Sequence, residues 1–332
     1  MHLPDGFLDA RTALLSTGAA AAGVGLALRR VRASLEPRRV PLLGLAAAFV
    51  FAAQMVNFPV PGGTSGHLVG GVLLAVLLGL GEAVLVMTCV LLVQCLMFND
   101  GGLLALGANV FNMGLANAGG GYLVFRLTRS LLRMEATRAT VLAAAFAAWC
   151  GTVLAAVTCA GQLALSHQSS WAVAFPAMTL VHMLVGVGEG LATALIALAV
   201  LRARPSLLAG ASPRERGRAG LVAYGLLLAL GLAVFVAPFA CPWPDGLETV
   251  AGRLGFASHA ALPLVRAPAS DYRLPFVGSL TLATALAGAL GTVLAFLAAY
   301  LLARWVTPRA AENPRPAGDE SPARPYSNER SR

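Results

Sequence analysis

The 332-residue sequence has few charged residues and no lysine. Only 12% of its residues are charged and 58% are hydrophobic, whereas a soluble domain carries roughly 25% charge. All 24 basic residues are arginine, which indicates genomic base composition rather than a function. The shortage of charge excludes an ordinary soluble domain. It predicts a polytopic protein that crosses the cell inner (plasma) membrane several times.

Several motifs of enzymes and redox proteins are also missing. The five cysteines form no CxxC pair, which argues against a disulfide framework or a zinc site. No GxSxG, HExxH or Walker A motif is present, so we expect no enzyme activity from this chain. A pump built on it would take its ATP hydrolysis from a separate subunit. No cleavable signal peptide is expected, because a basic n-region is missing.

Long apolar runs predict an all-α bundle. A membrane-crossing helix needs about 20 apolar residues. The run 67–98 is too long for one crossing and carries Gly79, Gly81 and Glu82 at its middle, so we predict two helices that meet there. Nine crossing helices are then predicted, near 12–29, 41–57, 67–80, 82–98, 103–126, 139–163, 172–201, 219–238 and 276–303.

The arginines orient these helices. Twenty of them fall on one side of the predicted bundle, in the loops 29–39, 126–138 and 202–218 and in the tail after 303. By the positive-inside rule this side is cytoplasmic, which places the N-terminus outside and the C-terminus in the cytoplasm. The basic residues therefore require no nucleic-acid partner, and membrane lipid is the expected surrounding.

The N-terminus carries a candidate metal site. The terminal amine of Met1, the amide nitrogen of His2 and the ring Nδ1 of His2 can chelate one ion through a five-membered and a six-membered ring. Such in-plane nitrogens suit Ni(II) or Cu(II) better than tetrahedral zinc. Histidine at position 2 is large, so we expect Met1 to be retained. The alternative is that His2 is an incidental residue of a frayed terminus.

A second outward histidine, His67, ends the segment 57–67. Its prolines and glycines predict a shaped loop rather than a helix or strand. His67 is the best candidate for a fourth nitrogen that completes a planar set. Asp5, in a Pro-Asp-Gly sequence, is expected to form a tight turn that folds the terminus back toward the bundle.

Polar residues inside the predicted helices are secondary candidates. Asn109 and Asn112, with Asn117, are expected to face the bundle in roles that support the site or the packing rather than bind metal directly. His182 and Glu189 share one helix face, and either a functional pair or a structural hydrogen-bond network between them fits the spacing. Small residues such as Gly119–Gly121 indicate either close helix packing or a docking surface.

These features together resemble the CbiM/NikM family, the substrate-capture components of energy-coupling-factor transporters for cobalt and nickel. The resemblance covers about residues 1–205 and rests on ordered motifs, namely MHLPDGFL at 1–8, PGGTSGH at 61–67, DGGL at 100–103, LGANVFNM at 106–113 and HMLVGVGE at 182–189. It implies that Met1 supplies its amine, His2 its amide and imidazole, and His67 its imidazole to the transported ion. No permanently bound cofactor is implied, since Ni2+ or Co2+ is cargo.

The second part resembles another known module. Pro244–Glu248 (PDGLE), an outward loop and one more helix look like the PDGLE domain of NikN-type accessory subunits. We therefore expect a capture domain at 1–205, a cytoplasmic linker at 206–218, a PDGLE domain at 219–305 and a disordered tail at 306–332. Such a fusion implies a transmembrane coupling protein and cytoplasmic ATPase subunits as partners.

The expected function is thus capture of Ni2+ or Co2+ at the outer face for ATP-driven import. The alternative is a secondary, ion-gradient-driven transporter, but Glu82, His182 and Glu189 are few for a path through the membrane. A metalloenzyme would need an open coordination position and a nearby general base. The choice between nickel and cobalt stays open, with a slight preference for nickel from the PDGLE part.

Overall fold

The computed structural model describes residues 1–203 and 218–307. Eleven α-helices are present in this part of the chain: α1 Ala10–Ser34, α2 Val40–Gln54, α3 Gly71–Leu78, α4 Leu80–Phe98, α5 Leu106–Asn109, α6 Gly121–Leu131, α7 Ala136–Leu165, α8 Trp171–Ala203, α9 Arg218–Gly231, α10 Gly246–Leu254 and α11 Leu280–Val306. The predicted all-α membrane fold is confirmed. The predicted linker 206–218 and tail 306–332 lie almost wholly outside the described residues.

Six helical stretches in the described ranges are long and apolar enough to cross a membrane. They are α1, α4, α7, α8, the stretch Gly220–Phe239 and α11. The helices lie within a few residues of the predicted runs. The count of nine crossings and the orientation of the termini stay predictions.

The predicted break inside 67–98 is confirmed at Gly79. Its φ of 114° ends α3, and α4 begins at the next residue. The guanidinium of Arg39 donates to the carbonyl of Leu78 at 2.7 Å and to Glu82 Oε1 at 3.3 Å. It thereby satisfies a carbonyl at the end of α3 and neutralises the buried carboxylate.

Two predictions for the segment before α3 were wrong. Residues 57–67 contain an antiparallel hairpin, β1 Phe58–Val60 and β2 Thr64–Gly66, instead of a strandless loop. Gly62 and Gly63, with φ of 96° and 76°, make the reversal that pairs the strands. Helix α3 starts at Gly71 rather than 67, because Gly70 adopts φ of 81° and Glu189 binds the main chain before it.

Close helix packing accounts for several of the small residues. A Cβ on Gly190 would lie 2.9 Å from the carbonyl oxygen of Ala145, so α8 and α7 approach closely. A Cβ on Gly291 of α11 would lie 2.0 Å from the ring of Phe51 on α2. The C-terminal helix therefore belongs to the same bundle as the first part of the chain.

The stretch between α5 and α6 is a π-helix, Val110–Gly120, inside what was predicted as one ordinary helix. It carries Asn112 and Asn117. The side-chain amide of Asn117 is buried and has no hydrogen-bond partner in the structure. π-Helices are rare, appear mostly as single turns inside α-helices, and are frequent at functional sites.

Candidate metal-binding site

The N-terminal segment, residues 1–9, is anchored in the protein core by apolar side chains. Met1, Leu3 and Phe7 are 3%, 0% and 4% exposed. They join a hydrophobic cluster that includes Ala156, Cys159, Leu163, Met178, Leu247 and Phe256. His2 lies between two of these anchors, so the terminus is not frayed in this structure.

Main-chain hydrogen bonds hold the same segment. Asn109 clamps Leu3 from both sides, because its Oδ1 accepts from the Leu3 amide at 2.8 Å and its Nδ2 donates to the Leu3 carbonyl at 3.1 Å. Asp5 lies in the predicted turn, before Gly6 with φ of 91°. Its carboxylate accepts from the amides of Leu103 and Leu104 at 3.2 and 2.8 Å. These contacts fix the main chain next to His2 in space.

The ring of His67 points one nitrogen toward the terminus. Its Nδ1 lies 3.1 Å from the carbonyl oxygen of Leu68, which can only accept, so Nδ1 carries the hydrogen. Its Nε2 is then an acceptor, 3.3 Å from the Met1 amine. Burial, followed by the charge of that amine, lowers the pKa of His67 to about 3. The ring is therefore neutral, the form that binds metal.

The Met1 amine has a second partner from the far end of the chain. Its nitrogen lies 2.5 Å from Asp245 Oδ2, with Met1 3% and the carboxylate 18% exposed. Burial works to lower the pKa of the amine, but the carboxylate of Asp245, together with the more distant charges of Asp100 and Glu248, outweighs it and raises that pKa. Burial conversely works to raise the pKa of Asp245, and the amine lowers it. The two groups form an ion pair in which the amine is buried and the carboxylate is partly exposed.

A chain of amides fixes one nitrogen of His2. Gln54 donates from Nε2 to the carbonyl of Val69 at 2.8 Å, so its Oε1 accepts from Gln94 Nε2 at 2.6 Å. Gln94 Oε1 then faces His2 Nε2 at 3.2 Å and accepts its hydrogen. Burial above all lowers the pKa of His2. The other nitrogen, Nδ1, is the one left for metal.

In this structure His2 Nδ1 contacts a carboxylate instead. It lies 3.0 Å from Asp100 Oδ1, and Asp100 Oδ2 accepts from the hydroxyl of Tyr272 at 2.5 Å. The rings of His2 and His67 are stacked with their centroids 5.6 Å apart. Both ring nitrogens of His2 thus face acceptors, so Nδ1 carries a hydrogen toward Asp100 in this structure, and an ion bound by Nδ1 would replace both that hydrogen and the contact with Asp100.

A cavity of about 510 Å³ lies beside these groups. Its lining includes His2, His67 and Asp100 from the first part of the chain, and Asp245 and Tyr272 from the second. Across residues 1–203 and 218–307, no three or more His, Cys, Asp or Glu side chains are grouped to hold a metal ion. The predicted donor set contains only two such side chains, since its other two atoms are main-chain nitrogens.

The helix residues His182 and Glu189 do not form the hydrogen-bond network with each other that the spacing allowed. His182 Nδ1 donates to the carbonyl of Met178 at 2.8 Å, and its ring packs against Gly246. Glu189 accepts from the amides of Val69 and Gly70 at 2.6 and 2.9 Å. The seven-residue spacing puts two turns between the side chains, so each meets a different neighbour. Glu189 thereby shapes the chain just after His67.

Asn112 lies further along the helix from the terminus. Its Nδ2 donates to Gln162 at 2.7 Å, and its Oδ1 accepts from Thr158 at 2.8 Å. It therefore ties the π-helix to α7 and makes no contact with the N-terminal segment in the hydrogen bonds of the described residues. Asn109, three residues earlier, makes that contact.

Sequence reasoning missed five residues around the site: Gln54, Gln94, Asp100, Asp245 and Tyr272. Asp100 and Asp245 stood inside recognised motifs, DGGL and PDGLE, so their motifs were a usable signal. Nothing in the spacing indicated that the PDGLE motif would reach the terminal amine, 244 positions away.

Comparison with known proteins agrees with this architecture. Residues 2–207 match the family model for the cobalt uptake substrate-specific transmembrane region, CbiM, and residues 219–308 match the PDGLE domain. A putative fused nickel transport protein, NikMN, of Archaeoglobus fulgidus is 36% identical and covers 92% of this chain and 99% of its own length. The fused nickel transport protein NikMN of Rhodobacter capsulatus is 33% identical over 89% of this chain and 94% of its own.

This chain is also similar in fold to a solved structure of a metal transporter. The structure of a truncated transition metal transporter is 34% identical, has a TM-score of 0.55 and covers 61% of this chain and 99% of its own. Family, fold and apolar helices agree on a multi-pass membrane protein for cobalt or nickel transport, a transporter rather than an enzyme. The chain thus belongs to the CbiM family of metal-transport membrane proteins and continues into a PDGLE domain.

Proposed function

We propose that this chain captures Ni2+ or Co2+ as the substrate-binding component of an ATP-driven energy-coupling-factor importer. The ion would be held by the Met1 amine, the His2 amide and Nδ1, and the His67 ring. A transmembrane coupling protein and cytoplasmic ATPase subunits would drive its transfer.

The observation that carries the proposal is the meeting of the Met1 amine and His67. The amine nitrogen lies 3.3 Å from His67 Nε2, and that nitrogen is the unprotonated one. An ion that replaces a proton of the amine could be bound by the Met1 nitrogen and by His67 Nε2 at the same time. Met1 and His67 are 66 positions apart in sequence, so an incidental terminus is a poor account of this contact.

The donor chemistry supports a first-row transition metal. Imidazole and amine nitrogens suit nickel and related ions, while magnesium and calcium prefer oxygen. Nitrogen donors must be unprotonated to bind, so uptake of the ion releases protons. The neutral ring of His67 and the Nε2–H of His2 held by Gln94 are the states that such binding requires.

The test is metal affinity with and without a free terminus. The native protein is compared with a version that carries a short N-terminal extension, in titrations with Ni2+ and with Co2+. The extension is expected to abolish tight binding. It converts the Met1 amine into an amide and places the free amine at the new first residue, away from His67. Retained folding is checked by circular dichroism and size-exclusion chromatography.

His259→Ala serves as the matched control, since its histidine contacts Gln168 and not the site. It is expected to bind like the native protein, whereas His67→Ala is expected to lose affinity. Equal metal binding by the native and extended proteins would refute Met1 as a ligand. The ion bound more tightly by the native protein identifies the preferred cargo.

A further inference from the structure

The PDGLE motif holds the metal-binding terminus in place. We infer that Asp245 positions the Met1 amine beside His67 in the empty site and serves as the counter-charge to the ion in the loaded site. This inference rests on the proposed function and assigns a role to the PDGLE domain within the same chain.

The Met1 amine has two close partners. It lies between His67 Nε2 at 3.3 Å and Asp245 Oδ2 at 2.5 Å, and it is almost fully buried. A buried charge is costly unless an opposite charge compensates it. Without Asp245, the buried amine would lose its proton or move toward water, and in either case it would no longer be held beside His67 by an ion pair.

Asp245 is itself held rigidly. Its Oδ1 accepts from the amide of Glu248 at 2.9 Å, while Glu248 Oε2 accepts from the amide of Asp245 at 2.9 Å. This is a complete capping box at the start of α10. One carboxylate oxygen therefore belongs to the helix, and the other is left for the terminus.

The PDGLE motif is docked on the hairpin that leads to His67. Ser65 donates from its amide to the carbonyl of Pro244 at 2.8 Å and from its hydroxyl to the carbonyl of Trp243 at 2.7 Å. Thr249 donates to Thr64 at 2.9 Å. The same short segment thus fixes both His67, two residues from Ser65, and the amine.

Close packing explains the glycine of the motif. A Cβ on Gly246 would lie 2.8 Å from the ring of His182, so only glycine lets α10 approach α8 this closely. His182 is therefore a contact surface for the PDGLE motif. This packing explains why His182 lies beside the site without a role for His182 as a metal ligand.

Charge connects the empty and loaded states. The ammonium is a single positive charge next to Asp245, and a bound Ni2+ or Co2+ ion would place positive charge at nearly the same point. A carboxylate that stabilises the first also attracts the second. Preorganisation of this kind lowers the cost of ordering the terminus when the ion binds.

The sequence makes a sharp experiment possible. No lysine is present, so an amine-reactive acylating reagent can label only the Met1 amine. The rate of labelling, read by mass spectrometry of metal-free protein, reports how well the amine is sequestered. Binding of Ni2+ and Co2+ is titrated in parallel on the same preparations of full-length protein.

The main variant is Asp245→Asn, because asparagine caps a helix as well as aspartate does and only the charge is lost. Its amine is expected to be labelled about tenfold faster, as expected for loss of a charge-assisted hydrogen bond. Its dissociation constant for metal is expected to rise about tenfold to a hundredfold, the range for residues that orient metal ligands. The visible spectrum of the bound Ni2+ should keep its band positions, because the nitrogen donors are unchanged.

Glu248→Gln is the matched control. It removes one negative charge at the same helix start, while the glutamine side-chain oxygen can still accept from the Asp245 amide, so the capping box and the Met1–Asp245 pair stay intact. Its labelling rate and metal affinity are expected to stay within about threefold of the native protein, since an exposed charge contributes little. Asp245→Glu, which restores the charge, is expected to recover part of the affinity.

The outcomes separate the two proposals. Equal labelling of the native protein and Asp245→Asn would overturn the inference, and so would faster labelling with unchanged metal affinity. A native protein whose amine is sequestered but that binds neither ion would refute the proposed function and the loaded-state role of Asp245. It would leave the ion pair itself intact.

Discussion

The N-terminal segment and the PDGLE segment, residues 241–256, meet at the site but are built in different ways. Helix α10 in the PDGLE segment has its own capping box at Asp245 and ends at Gly255 with φ of 83°. The N-terminal segment has no helix or strand before Ala10. It is held by apolar anchors, by the side chain of Asn109, and by its own Asp5, which accepts from main-chain amides at 103 and 104.

Under the proposed function, this difference would let the N-terminal segment release an ion while the rest of the fold stays intact. A segment stabilised only by tertiary contacts can open locally without unfolding the rest. The proposed ligands Met1 and His2 lie in that segment, while the groups that position them lie on rigid elements. Breaking the contacts that hold the terminus should therefore cost metal affinity more than it costs the fold.

The largest effect is expected from Asn109→Ala, which breaks the clamp on Leu3. The Leu3 amide loses its acceptor in a buried place and the Leu3 carbonyl keeps only the amide of Gly102, so the hold on the N-terminal segment is weakened. Metal affinity is expected to fall about a hundredfold, at the upper end of the range for residues that orient ligands. Titration with Ni2+ measures it, and thermal unfolding gives the accompanying loss of stability.

Asn112→Ala is the control for that variant. It removes an equally buried asparagine of the same helical stretch, but one that bonds Gln162 and Thr158 instead of the terminus. A similar fall in melting temperature with near-native affinity is expected. If both variants lose the same affinity, general loosening of the bundle explains the effect and the clamp does not.

The second-largest effect is expected from Gly246→Ala in the PDGLE segment. The added Cβ would lie 2.8 Å from the His182 ring and would push α10 away from α8. Asp245 would move with it, and the dissociation constant for metal is expected to rise about tenfold. Gly252→Ala, at a position with open space around its Cβ, should leave affinity unchanged.

The double variant Gly246→Ala with His182→Ala sharpens the result. Removal of the ring makes room for the methyl group, so the double variant should bind metal better than Gly246→Ala alone. Additive losses would mean that His182 acts in some other way than by contact with Gly246.

A smaller effect is expected from the amide chain that fixes His2. Gln94→Leu removes the acceptor for Nε2–H, and the dissociation constant should rise about fivefold through loss of one neutral hydrogen bond. Gln54→Leu should weaken binding by the same route, because Gln54 orients Gln94. The two changes together should cost little more than either alone, which a double-mutant cycle of metal affinities tests.

The helical bundle was largely predictable from the sequence, and the residues that position the ligands were not. Apolar runs marked the helices, and Gly79 beside Glu82 marked the break, because local chemistry decides both. The hairpin at 58–66 was missed, since its strands are three residues long and depend on a glycine turn and on pairing with the PDGLE segment. Asp245, Gln54 and Tyr272 were missed for the same physical reason: their roles come from contacts between distant parts of the chain.

For the ligands themselves, the sequence predicted Met1, His2 and His67, and the structure brings the Met1 amine and His67 together while His2 Nδ1 faces Asp100. Their role as ligands stays a prediction. A chelating terminus is a local pattern and can be recognised as such. Which nitrogen of each ring is free depends on the Leu68 carbonyl and on Gln94, which no local pattern reveals.

The smallest effect is expected from Arg253→Ala at the far end of α10. Arg253 is exposed and donates to the carbonyl of Gly62 at 2.7 Å, so water can replace it when it is removed. Exposed contacts of this kind contribute about 1 kcal/mol or less, so the dissociation constant for metal should change by less than about fivefold. The same titration and the amine-labelling rate measure it. A large loss would mean that the PDGLE segment depends on its rim contacts to stay docked, and the contrast between a self-supporting α10 and a tertiary-held terminus would fail.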